Sequence, residues 1–181
     1  MLTRAEVAAA QARALDMLGQ AGIVLTPDEA ERIEIADCGF GELATTGLQL
    51  ITYINTERVC AKELVLLPRQ TFPEHRHPPV MGEPGKEETF RCRWGTVYLY
   101  VPGEPTSHPQ AQPPAHRAHA YTVWHEVVLR PGEQYTLAPD TLHWFQACDE
   151  GAVVSEFSTR SRDEFDVFTD PDVRRAPIVG E

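Results

Sequence analysis

No apolar run in this chain approaches the roughly 20 residues that would span a bilayer. The first 20 residues carry Arg4, Glu6, Arg13 and Asp16 through an alanine-rich stretch, so they do not read as a secretory leader. Positive charge is scarce: 16 Lys and Arg against 27 Asp and Glu leave a formal net charge of -11. That balance argues against a nucleic-acid partner, because phosphate binding relies on a basic surface. Cysteine is scarce too. Cys38, Cys60, Cys92 and Cys148 are scattered without a C-x-x-C pair, which suits buried thiols in a reducing compartment better than a disulfide framework or a zinc ribbon. No internal repeat is evident. A soluble, cytoplasmic protein is the expectation, and 181 residues suffice for one sizeable core with an added helical element.

Residues 3–20 read as a helix, with Thr3 and Glu6 as a capping box and Gly19 and Gly22 at its end. A second helix is expected from Thr26, where Pro27 takes the first helical position and Glu29 completes another capping box before "AERIEI". From about Leu48 the pattern changes to short runs rich in Val, Thr, Tyr, Phe and Trp: "ELVLLP", "ETFRCRWG", "TVYLYVPG", "YTVWHEVVLRPG", "QYTLAP", "LHWFQAC" and "AVVSEFST". The fold class is therefore all-β, a sandwich or barrel over residues 48–181, with residues 1–47 as a helical extension packed on it. Residues 102–120 read as a long surface loop, and the tail "FTDPDVRRAPIVGE" as a wrap around the outside.

The chemistry concentrates in two stretches. In "PEHRH", side chains two apart on a strand share a face, so His75 and His77 can aim at one point. An isolated H-x-H beside prolines is more often a pair of solvated loop histidines. Glu88 adds to the functional reading because it opens the strand "ETFRCRWG", with Gly95 seven positions on. In "PGEQYTLAPDTLHWF", a Pro-Gly turn, a short strand and a second turn at Pro139 lead to His143, which by its neighbours Leu142, Trp144 and Phe145 also reads as a core histidine. Together, three imidazoles and one carboxylate with water positions left over suit an octahedral divalent ion such as manganese, iron, cobalt or nickel. Structural zinc is more often closed by cysteines.

The stretches 73–95 and 131–143 resemble the two motifs of the cupin superfamily. They depart from it in the inserted "PPVMGEPGKE" and in the missing asparagine after the last histidine, where Gln146 stands nearby. The resemblance implies a jelly-roll β-barrel with a metal inside and leaves the activity open. A narrower likeness covers about residues 60–175. "HRHPPVMGEPGKEE", "YTVWHEVVLRPGEQYTLAPDTLHWFQA" and "GAVVSEFSTRSRDEFDVFTDP" resemble the D-lyxose isomerase family of cupins. That likeness implies interconversion of D-lyxose and D-xylulose, also of D-mannose and D-fructose, most often with manganese (Mn2+). It further implies metal ligands at His75, His77, Glu88 and His143, a sugar as the small-molecule partner, and a homodimer.

Isomerisation needs a proton carrier. Glu156, flanked by Val153, Val154 and Phe157, is the candidate catalytic and substrate-binding base, because burial raises a carboxylate's proton affinity toward the useful range. It reads equally as a surface partner of Arg160 or Arg162. Lys86 shares the face of Glu88 and is the candidate donor to substrate oxygens, or else a solvated loop lysine. Arg162 and Asp163 are weaker candidates for substrate contacts or for holding Glu156. A hydride shift, a phosphosugar isomerase, an iron dioxygenase and a non-catalytic sugar-binding cupin remain open alternatives. His108, His116, His119 and His125 are left out of the metal site, and prolines around 116–119 argue against a helix there.

Overall fold

The computed structural model describes residues 2–174 and the backbone of 179–180. Strand β1 (Leu2–Thr3) leads into helix α1 (Arg4–Gln20). The Thr3 hydroxyl accepts from the Glu6 N–H while the Glu6 carboxylate accepts from the Thr3 N–H, the reciprocal cap expected there. Helix α1 buries Ala10, Ala14, Met17 and Leu18 against Ile51, Val65 and Val153 of the sheet. Helix α2 (Pro27–Glu31) opens with the same device at Thr26 and Glu29 but ends after one turn. Of "AERIEI", only Ala30 and Glu31 are helical. Glu34–Ala36 forms strand β2, because Ile33 and Ile35 bury on the α1 side and the edge of β3 pairs with the backbone of residues 34–36. Residues 1–47 are thus not purely a helical extension, since they supply an edge strand.

The remaining strands are β3 (Leu48–Asn55), β4 (Cys60–Leu66), β5 (Thr71–Arg76), β6 (Glu88–Val101), β7 (His125–Leu129), β8 (Gln134–Leu137), β9 (His143–Ser158), β10 (Val167–Phe168) and β11 (Val179–Gly180), the last paired in parallel with β1. One curled antiparallel sheet runs in the order β10-β5-β9-β4-β3-β2, and β6 pairs with β7, β8 and β9. This is the all-β jelly-roll barrel expected from the motifs. Its core holds Leu64, Leu66, Phe90, Leu99, Phe145 and Val154.

The stretches expected as two strands each, 88–95 with 96–103 and 142–148 with 152–159, are instead single long strands. They bend without a turn. Register shifts between Cys92 and Trp94 and between Gly95 and Val97 interrupt the β6–β9 ladder. The inward face accordingly passes from Glu88, Phe90 and Cys92 to Val97, Leu99 and Val101, and on β9 from His143, Phe145 and Ala147 to Ala152, Val154 and Glu156. Glu88 pairs with Ser158 and Tyr100 with Trp144, so a straight ladder would separate its ends by about 40 Å at 3.3 Å per residue. The bend closes that gap: the Phe90 ring lies 6.1 Å from the His143 ring.

Gly95 permits this fold-over. It adopts φ +70°, and a Cβ there would run into the Gly151 carbonyl, itself on a glycine at φ +95°. Gly95→Ala is expected to destabilise the protein by at least about 1–3 kcal/mol from the backbone conformation alone. A denaturant midpoint indistinguishable from wild type would remove this role.

Residues 102–120 do more than cover the surface. Ala115–Ala120 is a 3-10 helix, possible because Pro114 sits before its first turn and does not interrupt it. The segment buries Ala111 and Ala120, with Tyr121 just after it, against Trp144, which stacks on Tyr100 at 4.0 Å. The tail pairs β10 with β5 at Val167 and Phe168, while residues 175–178 and 181 of the expected wrap lie outside the described residues. None of the four cysteines forms a disulfide, and among the described residues no helix is long and apolar enough to cross a membrane.

Candidate active site

His75 lies on β5, His77 just past its end, and His143 opens β9 in register with His75. The three rings lie 4.2–5.5 Å apart, and one ligand-capable nitrogen of each falls within 4.8 Å of the others. Each Nδ1 is engaged from behind. His75 Nδ1 lies 2.9 Å from the Pro73 carbonyl, His143 Nδ1 2.9 Å from the Thr141 carbonyl, and His77 Nδ1 2.5 Å from Asp166 Oδ1. These acceptors place a proton on Nδ1 and turn each Nε2 to the interior, the atom through which a neutral imidazole would bind a metal. His143 Nε2 is fully buried without a hydrogen-bond partner; it lies 3.0 Å from Glu88 Oε1, but out of hydrogen-bonding alignment. An orphaned buried nitrogen facing a carboxylate and two further imidazoles fits a divalent metal ion.

Between His77 and Glu88 the inserted loop folds tightly. Val80 and Glu83 bridge around a turn at Met81 and Gly82, and Gly85 packs onto the His77 carbonyl so closely that no Cβ fits. This return brings Glu88 Oε1 to 3.1 Å from His77 Nε2. Lys86 Nζ lies 2.7 Å from Glu88 Oε2 and 3.0 Å from Glu156 Oε1, so one buried ammonium joins the two carboxylates. Behind His75, the buried Glu74 carboxylate accepts from Thr122 N at 2.6 Å, Val123 N at 3.0 Å, and the hydroxyls of Thr122 and Thr169, tying the crossing segments to β5.

The electrostatics follow from burial and pairing. Burial, then the neighbouring His143 and His77, push the His75 pKa well below its usual range. For His77, burial alone would lower it, but the Glu88 carboxylate and the Asp166 hydrogen bond hold it up at about 9. Burial would likewise raise Glu88, yet Lys86 and His77 hold it well below the ordinary carboxylate range. Lys86 is kept charged against its own burial by Glu156 and Glu88.

Glu156 is therefore not a surface partner of the arginines. Arg160 pairs with Glu57 and Arg162 with Glu83, and both line a small pocket with His77 and Lys86 beside the inserted loop. Asp163 pairs with Lys62 at 2.9 Å. Lys62, with no motif around it, and Asp166, fixed only when the tail crosses β5, carried no signal in the sequence. Among the other histidines, His116 contacts Glu42 and His125 the Glu104 carbonyl; none of the four joins the cluster. A larger, mostly apolar groove between α1 and residues 41–45 contains no part of this ionisable network.

No family model matches the chain. It is 60% identical over 179 residues, 99% of each chain, to the D-lyxose/D-mannose isomerase of Thermosediminibacter oceani. It is 62% identical over 170 residues, 94% of this chain and 93% of the relative, to the D-lyxose ketol-isomerase of Cohnella laeviribosi. The chain belongs to the D-lyxose isomerase family. Its fold matches the L-ribose isomerase of Cellulomonas parahominis with a TM-score of 0.83 over 99% of this chain and 98% of the other, at 17% identity. Family membership makes it an enzyme of the ketol-isomerase class, built on the barrel that the motifs imply.

Proposed function

We propose that the enzyme interconverts D-lyxose and D-xylulose, and D-mannose and D-fructose, with a divalent metal, Mn2+, held by His75, His77, Glu88 and His143. The observation that carries the reading is the Glu88–Lys86–Glu156 chain beside the imidazoles, which sets a buried base candidate and a buried cation against a metal-fitting donor set. A metal bound there supplies Lewis-acid polarisation of the sugar carbonyl and offsets negative charge on the neighbouring oxygens. Glu156 takes the proton from C2 of the open-chain aldose and returns it to C1, while the hydroxyl proton passes from O2 to O1. Lys86 keeps its ammonium pointed at the developing oxygen charge, and its contact with Glu156 orients the base. Among the described residues, the engagement of Arg160 and Arg162 with glutamates favours an unphosphorylated sugar. The absence of any disulfide suits cytoplasmic residence, and a homodimer is part of the same reading.

Metal-stripped protein assayed with D-lyxose and D-mannose, before and after adding Mn2+, tests the proposal. Ketose formation restored by Mn2+ is expected; no turnover with metal tightly bound would overturn it.

Metal uptake should also release protons. With its pKa at about 9, His77 is charged at pH 7.5 in the metal-free protein, and a metal accepts only the neutral imidazole. Calorimetry in buffers of different ionisation enthalpy is expected to show about one proton released per ion at pH 7.5 and fewer above pH 9. The same raised pKa stabilises the metal-free fold below about 6.5, a contribution lost as the pH rises through 9. A proton count of zero at pH 7.5 would contradict this assignment.

A further inference from the structure

Strand β4 carries Leu64 and Leu66 into the core, and on that same face stands Lys62, only 5% exposed. A buried ammonium is costly, and an apolar side chain of similar size is usually the more stable choice there. Its Nζ has two partner groups, Ser161 Oγ at 2.9 Å and the Asp163 carboxylate at 2.9 and 3.2 Å. An ammonium has three N–H donors, which these three contacts can occupy in the sugar-free protein, and the longer one, 3.2 Å to a carboxylate already held at 2.9 Å, is the one a sugar hydroxyl would replace. Lys62 lines the same cavity as His75, His77, Lys86, Glu88 and Glu156, beside an apolar wall that includes Leu48 and Leu50. It is the register neighbour of Glu156, yet forms no ion pair with it, because Lys86 occupies that carboxylate. Burial lowers the Lys62 pKa, but Glu156 foremost and then Asp163 more than offset it, so the group stays charged.

We propose that Lys62 is a substrate-binding residue, donating to the C4 or C5 hydroxyl of the sugar, away from the two carbons that react, and that Ser161 and Asp163 position it. The assignment rests on the isomerase reading above. A buried ammonium beside an apolar wall matches a polyhydroxylated carbon chain, while Lys86 serves the reacting oxygens. The pair thus divides the sugar: one lysine for the chemistry, the other for the remainder of the chain.

The test compares wild type and Lys62→Met on D-lyxose and its 4-deoxy and 5-deoxy analogues, with bound manganese and thermal midpoint measured alongside. Lys62→Met is expected to raise KM for D-lyxose roughly 10- to 100-fold, with a smaller change in kcat and unchanged manganese. One deoxy analogue should be a poor substrate for wild type and suffer no further loss in Lys62→Met, because the removed hydroxyl and the removed ammonium are partners. Equal losses on all three sugars, or an unchanged KM, would overturn the assignment. If Lys62→Met does not fold, Lys62→Arg replaces it: a displaced donor should alter the preference between D-lyxose and that analogue, and an unaltered preference overturns the assignment. A wild type that turns over no aldose defeats the isomerase reading itself, an outcome separate from the failure of Lys62 in an active enzyme.

Discussion

Glu156→Gln is expected to lower ketose formation by about 10²- to 10⁴-fold, the usual contribution of a positioned general base, while leaving bound metal at the wild-type level. Glutamine keeps the shape of the side chain, and its amide oxygen can still accept from Lys86 Nζ and the Ser158 hydroxyl, which contact Oε1 at 3.0 and 3.2 Å. Lys86 also retains Glu88 at 2.7 Å, so the ion network does not collapse. What the amide cannot do is hold the proton between C2 and C1. Exchange of the C2 hydrogen with deuterated water separates the cases: wild type should exchange and the variant should not. A Glu156→Gln enzyme with wild-type turnover would remove this residue from the proton transfer and return the hydride shift to consideration.

His143→Ala is expected to lose both metal and turnover. Its Nε2 is a buried nitrogen without a hydrogen-bond partner, and its backbone register with His75 sets the spacing of the imidazole cluster. Residues that merely support a metal ligand cost about 10- to 100-fold in affinity when changed, so loss of a ligand should exceed that range. Metal content after dialysis and ketose formation at saturating Mn2+ provide the two readouts. Retained manganese with normal turnover would mean that His143 is a core histidine after all. The contrast with Glu156→Gln matters because one substitution should empty the site and the other should leave it loaded but inert.

The local sequence determined much of this protein. The capping boxes at Thr3 and Thr26 are short-range chemistry, and both start helices where the spacing places them. H-x-H at 75 and 77, Glu88 and His143 could be picked out because strand alternation and turn residues mark which side chains share a face. Short-range patterns failed where a distant partner decided the outcome. Glu34 and Ile35 continue a plausible helix until the edge of β3 offers them a ladder, and Gly95 reads as a strand end until β9 bends with it. The ionic partners lay further out of reach. Lys86 finds Glu156, Lys62 finds Asp163 and His77 finds Asp166 across 70, 101 and 89 positions of chain. Residue type and spacing fixed which groups could bind a metal or carry a proton. Only the folded-over ladder decided which carboxylate met which cation, because contacts between remote strands are set by register and curvature and leave no local pattern.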